Sequence, residues 1–393
     1  MNKKMRAIVA VGENGRKALN EYGEAYFDFI LIIDNIIAAK CVSSKLPAIS
    51  TNEYLMLGGI YVLLAVDEFA DEYYWMLKEK DFICKIYQPI IESYYDKSIL
   101  VHNPYEDKRV YRSEQEWNDN LITDNTRKHV HALADSFNNN PELFDHVEIE
   151  TYNRCNGGCS FCPVNRLSDS REEEYMSEKL FSHIIDQLSE LNYQSSLALF
   201  SNNEPFLDKR ICDFQRYARE KLPNARLYLF TNGTVLTLEK FLSIIDYLDE
   251  LIIDNYSQSM QLIPTVKVIR DYCESHKELY SKVTIVLRHP REILTSRGGY
   301  APNREIISNI ENDKCVLPFR QLIIRPDGKV SACCNDALGI ITLGDLQNES
   351  IVDVWNGKAF CDLRTKLLEG RGNVDLCSKC DSFLSGLRMT RKE

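Results

Sequence analysis

The chain has 393 residues, 44% of them apolar, and a formal net charge of −11. Such a length holds two or three domains, and the acidic balance argues against nucleic acid or an anionic membrane surface as the main partner. With no apolar run of about 18 residues, no membrane span is expected. The basic start, Met1 to Arg6, leads into an apolar run too short for a signal peptide, so it reads as a first strand, and a cytoplasmic location is expected. In that setting 13 cysteines point to metal ligation and not to disulfides.

Residues 1–100 read as an open α/β unit. Arg6–Val11 is a buried-type strand, Gly12-Glu13-Asn14-Gly15 a tight turn, and a helix is under way by Lys17. Phe27–Ile33 is a second strand ending at Asp34, and Ser50 or Thr51 caps a helix. Tyr61–Ala65 is a further strand, followed by a helix over Asp67–Glu79 and a strand from Phe82. Strand, glycine turn, helix and a strand ending in an acid is the logic of a dinucleotide-binding half, although the turn reads G-x-x-G and not G-x-G-x-x-G. The unit resembles the small Rossmann-like domain at the front of sugar-modifying and polysaccharide-assembly enzymes. That resemblance would set Gly12, Gly15 and Asp34 beside a nucleotide-sugar. A structural or docking unit that binds nothing small is the alternative.

Residues 101–144 read as a connector, with turns at Asn118 and at Asn138–Pro141 and one helix, Arg127–Phe137, between them. From 145 to 310 strand and helix alternate. The expected strands are His146–Tyr152, Ser196–Phe200, Arg226–Phe230, Glu250–Asp254 and Val283–Arg288. The helices between them fall near Ser177–Leu191, Asp208–Lys221, Thr237–Leu248 and Ile263–Ser275. Repeated βα units imply a parallel sheet with outer helices, and chemistry at the C-terminal ends of the strands.

Just after the first of these strands comes Cys155-Asn156-Gly157-Gly158-Cys159-Ser160-Phe161-Cys162. Three thiolates this close hold three corners of a cubane iron–sulfur cluster and leave the fourth iron without a protein ligand. Gly157 and Gly158 let the backbone wrap close to the cluster, and Phe161 can shield one face. A structural zinc wants four ligands, and no fourth lies nearby.

C-x3-C-x-aromatic-C after a first barrel strand resembles the radical S-adenosylmethionine (SAM) enzymes. The resemblance implies a partial (β/α)6 barrel whose [4Fe-4S] cluster, on Cys155, Cys159 and Cys162, binds the amino and carboxylate groups of SAM. An electron from the cluster cleaves SAM to methionine and a 5′-deoxyadenosyl radical, which takes a hydrogen atom from the substrate. Ser201-Asn202-Asn203-Glu204-Pro205 stands where the family carries G-G-E-P, which holds the SAM amino group. Glu204 is retained; Asn202 and Asn203 replace the glycines. Thr231 and Asn232, after the next strand, would meet the SAM ribose hydroxyls or carboxylate. Arg288, Arg291 and Arg297 would hold a carboxylate or phosphate of SAM or substrate. Polar turns and a solvated basic loop are the plain alternatives.

Residues 311–393 hold a second cysteine set. Pro326-Asp327-Gly328-Lys329 turns a β-hairpin that brings Cys315 and Cys333 to one end, and Cys377-Ser378-Lys379-Cys380 follows much later. Four such cysteines close around one cluster, or around one zinc. C-x12-G-x4-C with a distant C-x2-C resembles the SPASM/twitch extension of radical SAM enzymes, in the shorter form with one auxiliary [4Fe-4S] cluster. That cluster would take the electron a substrate radical must lose to become a ketone. Related enzymes dehydrogenate an aminocyclitol. Others epimerise sugars with a cysteine thiol as hydrogen donor, for which Cys273, Cys212, Cys334 and Cys361 are candidates. Cys273 and Arg297 are the expected catalytic residues.

The expected function is a radical SAM oxidoreductase or epimerase. Its substrate would be a small sugar, aminocyclitol or sugar-linked metabolite, and flavodoxin or ferredoxin its electron donor. A peptide-modifying radical SAM maturase and a zinc-stapled sugar-binding or scaffold protein are the alternatives.

Overall fold

A computed structural model describes residues 5–88, 95–105, 124–137, 143–165, 169–306 and 308–382, and the chain forms two units. The first comprises Met1–Ile90, Asp124–Pro141 and Lys314–Val316. Its strands are β1 (Arg6–Ala10), β2 (Phe29–Ile32), β3 (Ala48–Ser50), β4 (Tyr61–Ala65) and β5 (Ile83–Ile86). They lie parallel in the order β3-β2-β1-β4-β5, the doubly wound order of dinucleotide-binding folds. The helices are α1 (Gly12–Tyr22), α2 (Asn35–Lys40), α3 (Thr51–Met56) and α4 (Ala70–Lys78). Ile8, Ala10, Ala18, Leu19 and Ala65 form the core between α1 and the sheet. Ser50 and Glu53 close a capping box on α3, as the serine before an apolar turn foretells. A further helix, α5 (Asp124–Ser136), packs on α4 and β5. The helix expected in a connector is therefore part of the first unit. The expected turns at Asn118 and Asn138–Pro141 lie outside the described residues.

Gly12 and Asp34, which the resemblance sets beside a nucleotide-sugar, both take part in hydrogen-bonded turns of the first unit. Gly12, at φ +67°, opens α1. The Asp67 carboxylate, from the end of β4, accepts from Glu13 N at 2.9 Å and Asn14 N at 2.7 Å. That is where a pyrophosphate would lie on a helix N-terminus. Even a Cβ on Gly12 would fall 1.9 Å from Asp67 Oδ2. Asp34 caps α2 by accepting from Ile37 N at 2.8 Å. The helix end and the strand-terminal acid are thus both engaged within the chain.

The second unit holds β6 (Val101–His102), β7 (His146–Ile149), β8 (Ser196–Ala198), β9 (Arg226–Thr231), β10 (Glu250–Tyr256) and β11 (Val283–Arg288). It continues with β12 (Gln321–Ile324), β13 (Lys329–Ser331) and β14 (Gly344–Asp345), and the sheet order is β14-β13-β12-β7-β8-β9-β10-β11-β6. From β12 to β6 every pair is parallel. Helices α6 (Glu178–Glu190), α7 (Ile211–Lys221), α8 (Leu238–Ile244) and α9 (Pro264–Ser275) link β7 to β11. Ser177 caps α6, which buries Leu180, Phe181, Ile184, Ile185 and Leu188 at helical spacing. Ala198, Tyr228, Ile252 and Val286 fill the sheet's concave side. The partial barrel is as expected, but its flanking strands are not. β6 comes from the supposed connector and β12 from the hairpin module.

Candidate active site

The C-terminal ends of β8 to β11 and the cysteine loop after β7 surround one cavity of 360 Å³, and Cys155, Cys159 and Cys162 all line it. A Cβ on Gly157 would fall 3.3 Å from Cys155 Sγ and 3.8 Å from Cys159 Sγ. The two sulfurs thus straddle the glycine, whose N–H donates to Cys155 Sγ at 3.3 Å. Burial, with each thiolate repelling the others, pushes Cys155 up to about 11 and Cys159 up to about 12. Cys155 and Cys159 beside that glycine, with Cys162 on the same cavity wall, are the residues that would hold the open-iron cluster of the cysteine motif. Phe161 is buried, with its ring 5.8 Å from that of Tyr256.

Glu204, fully buried after β8, accepts from Thr231 Oγ1 at 2.7 Å, Asn232 N at 2.8 Å and Phe206 N at 3.2 Å. A carboxylate offers about four acceptor sites, so one remains. Burial raises Glu204 to about 7 despite these donors. Asn232 Nδ2 donates to Asn156 Oδ1 at 2.9 Å and lies 3.8 Å from Cys155 Sγ, tying β9 to the cysteine loop. Asn203 lines the cavity, and its Nδ2 is buried without a hydrogen-bond partner among the described residues. The strand ends therefore offer one open acceptor and one open donor to an amino acid moiety. They fit SAM by the chemistry of the donor set.

The backbone N–H of Asn202 donates to the buried Glu150 at 2.7 Å, as a glycine's could. Its side chain does something glycine cannot: Nδ2 donates to Cys334 O at 3.1 Å. Its Oδ1 accepts from Arg297 Nη1 at 2.6 Å. Arg297 itself sits at φ +50°. The end of β8 is thereby tied to the segment carrying Cys333 and Cys334.

In the C-terminal module Gly328, at φ +79°, turns the β12–β13 hairpin, and its N–H donates to Arg325 O at 2.9 Å. Cys333, Cys377 and Cys380 are buried there, and Cys315, in the first unit, is buried as well. The C-x2-C turn is clasped by a buried polar set. Arg371 donates to Cys380 O at 2.6 Å and Ser382 O at 2.7 Å. Ser296 donates to Lys379 O at 2.7 Å and, through its N–H, to Asp381 at 2.7 Å. Asp381 also pairs with the buried Arg304.

A family model described as the radical SAM superfamily matches residues 149–287, and one described as an iron–sulfur cluster-binding domain (SPASM) matches residues 315–381. The chain carries a radical SAM domain followed by a SPASM domain. The S-adenosyl-L-methionine-dependent 2-deoxy-scyllo-inosamine dehydrogenase of Niallia circulans is 27% identical over 243 residues, 61% of this chain and 94% of that protein. A crystal structure of BtrN in complex with AdoMet and 2-DOIA is similar over 62% of this chain and 94% of that one, at 27% identity and a TM-score of 0.53. The SAM-binding and auxiliary [4Fe-4S] clusters follow from the two domains.

The radical SAM cavity gathers most of the residues singled out in the sequence: Phe161, Asn202, Asn203, Glu204, Thr231, Asn232, Arg288 and Arg297 line it. Arg288 is engaged by Glu292 at 2.5 Å. Cys273 does not belong to it. It is fully buried beside Val266 and Ile269 on α9, and burial pushes its thiol up to about 12. A fully buried outer-helix thiol has no path to a substrate carbon. Sequence reasoning missed Asp254 and Tyr95, which also line the cavity. Asp254 was the last residue of an expected strand, a position that marks barrel chemistry. Tyr95 gave no such signal.

Proposed function

We propose that this radical SAM protein dehydrogenates a carbinol carbon of a small polar ring, an aminocyclitol or sugar. The observation that carries this reading is that the end of β8 serves two sites at once. Glu204 faces the SAM cavity, and Asn202 bonds the SPASM segment beside Cys333. The relative from Niallia circulans, matched over 243 residues, acts on 2-deoxy-scyllo-inosamine by its name.

When bound, the groups held by Cys155, Cys159 and Cys162 and by Cys315, Cys333, Cys377 and Cys380 supply a hydrogen-abstracting radical from SAM and an acceptor for the second electron. The chain's own residues do the rest. Glu204's remaining acceptor site would take the SAM ammonium, while Thr231 and the Asn232 N–H keep the carboxylate aimed. Asn203 Nδ2 would be the donor for the SAM carboxylate. Phe161, Phe200 and Phe230 keep water from the wall. Arg297, anchored by Asn202, presents a cation to the substrate. The carbinol carbon would lose its hydrogen atom to that radical, then one electron to the auxiliary group and the hydroxyl proton to a carboxylate of the cavity wall such as Asp254, and become a ketone.

Dehydrogenation is favoured over epimerisation because, among the described residues, the only cysteines on the cavity wall are the three of the cluster loop. The initiating electron comes from a flavodoxin or ferredoxin. Among the described residues no helix is long and apolar enough to cross a membrane, and an oxygen-poor cytoplasm is the setting this chemistry needs. The test is anaerobic incubation of the reconstituted full chain with SAM, dithionite and 2-deoxy-scyllo-inosamine deuterated at its carbinol carbons. Deuterium in 5′-deoxyadenosine together with a ketone product supports the reading. No transfer from this ring, or transfer from a labelled peptide instead, overturns it in favour of a maturase.

A further inference from the structure

β11 is the last strand before the end of the radical SAM match at residue 287, and alone it would present an unpaired edge. Residues 95–105, well upstream of the match, cover that edge along its whole length. At the foot, the Lys97 ammonium pairs with the buried Glu250 carboxylate and lies 3.3 Å from Thr284 Oγ1. At mid-strand, Ile285 N donates to Leu100 O at 2.8 Å, and Val101 and His102 pair with Ile285 and Val286. Past the top, His289 N donates to the Tyr105 hydroxyl at 3.1 Å.

The same segment turns Tyr95 into the barrel. Its ring packs on the Ala198, Tyr228, Ile252 and Val286 layer, 5.1 Å from the His102 ring. It lines the catalytic cavity with Phe200, Phe230 and Asp254. Burial, with the Asp254 carboxylate nearby, keeps the phenol neutral. An aromatic face with a polar tip suits the C–H face and hydroxyls of a polar ring. The Tyr95 backbone is anchored two residues on by Lys97 and then by strand pairing, so a longer substrate has to displace the ring itself.

We propose that residues 95–105 hold Tyr95 as a wall of the substrate site, and that Tyr95 is the specificity-determining residue that limits the cavity to a small ring. The proposal rests on the proposed function only for its choice of probe.

The reconstituted full chain is compared as wild type, Tyr95→Phe and Tyr95→Ala, with iron content reporting on folding. The probes are ring-deuterated 2-deoxy-scyllo-inosamine and its N-benzyl derivative. Wild type and Tyr95→Phe should transfer deuterium from the small ring only. Tyr95→Ala should raise kcat/KM for the N-benzyl ring at least about tenfold, with SAM Kd within about threefold of wild type. Equal turnover of the bulky ring by wild type and Tyr95→Ala overturns the size limit. A loss of SAM affinity of about tenfold or more in Tyr95→Ala assigns the residue to the SAM seat and also overturns it. If wild type turns over neither probe, the proposed function falls, and SAM affinity with hydrogen exchange decides the wall separately. Lys97→Ala should then speed exchange at the Ile285 amide at least about tenfold while sparing β8 and β9. Unchanged exchange there overturns the segment's role.

Discussion

Glu204→Gln removes a charge from the SAM cavity while keeping its shape. In the native chain Thr231 Oγ1 and Phe206 N donate to Oε1 at 2.7 and 3.2 Å, and Asn232 N donates to Oε2 at 2.8 Å. A glutamine with its oxygen at Oε1 keeps the first two bonds. Its amide nitrogen then meets the Asn232 N–H, donor against donor. Losing that bond costs about 1 kcal/mol, or more if the N–H is left dry. Against this, the variant no longer buries a charge whose pKa burial has raised to about 7, which offsets a comparable amount. Folding and cluster content should therefore hold. The SAM ammonium, however, loses a charge-assisted hydrogen bond worth about 1.5–3 kcal/mol, or roughly 10- to 150-fold in Kd. Anaerobic equilibrium dialysis with labelled SAM, iron counted on the same samples, measures it. A Kd within about threefold of wild type at full iron content would refute the reasoning. Glu204 would then only brace β8 against β9.

The two cysteine sets should separate cleanly: Cys155→Ala should abolish SAM cleavage, whereas Cys377→Ala should keep 5′-deoxyadenosine formation and stop ketone formation. Normal net oxidation by Cys377→Ala would remove the electron-acceptor role. The raised carboxyl of Glu204 must ionise to take an ammonium, so SAM affinity should fall about tenfold per pH unit below 7 and level off above it. The same titration on Glu204→Gln should be flat. Arg371→Met strands the buried carbonyls of Cys380 and Ser382. It should cost about 2–5 kcal/mol and release about half of roughly eight irons; unchanged melting and iron would show the clasp to be dispensable. Calorimetric titration of the native chain with uridine diphosphate sugars should show no heat of binding, and a saturable isotherm would contradict the filled helix end.

The order of the chemistry was legible because it is written locally. The Cys155, Cys159 and Cys162 spacing needs only one loop, and β11 appears at its expected bounds because Val283–Arg288 is apolar and uninterrupted. The hairpin of the SPASM domain was marked by one glycine turn. What stayed hidden depends on residues far apart in the chain. β6 is two residues long, too short for any period, and exists only because β11 offers an edge. Asn202 looked like a damaged glycine motif, yet its side chain reaches Cys334, 132 positions away. Cys273 looked available because burial cannot be read from a lone cysteine in an amphipathic helix. Tyr95 sits among polar turn residues and is placed by Lys97, whose partner Glu250 lies 153 positions on.

The carboxylate of Asp67 on the first helix has a thermodynamic corollary. In a nucleotide-binding domain the phosphate that neutralises a helix N-terminus comes and goes, so stability rises and falls with metabolite concentration. Here the neutralising anion is covalent, supplied from 54 residues along the same chain. Its local concentration never changes. The first unit should melt at the same temperature in a starved cell and a fed one.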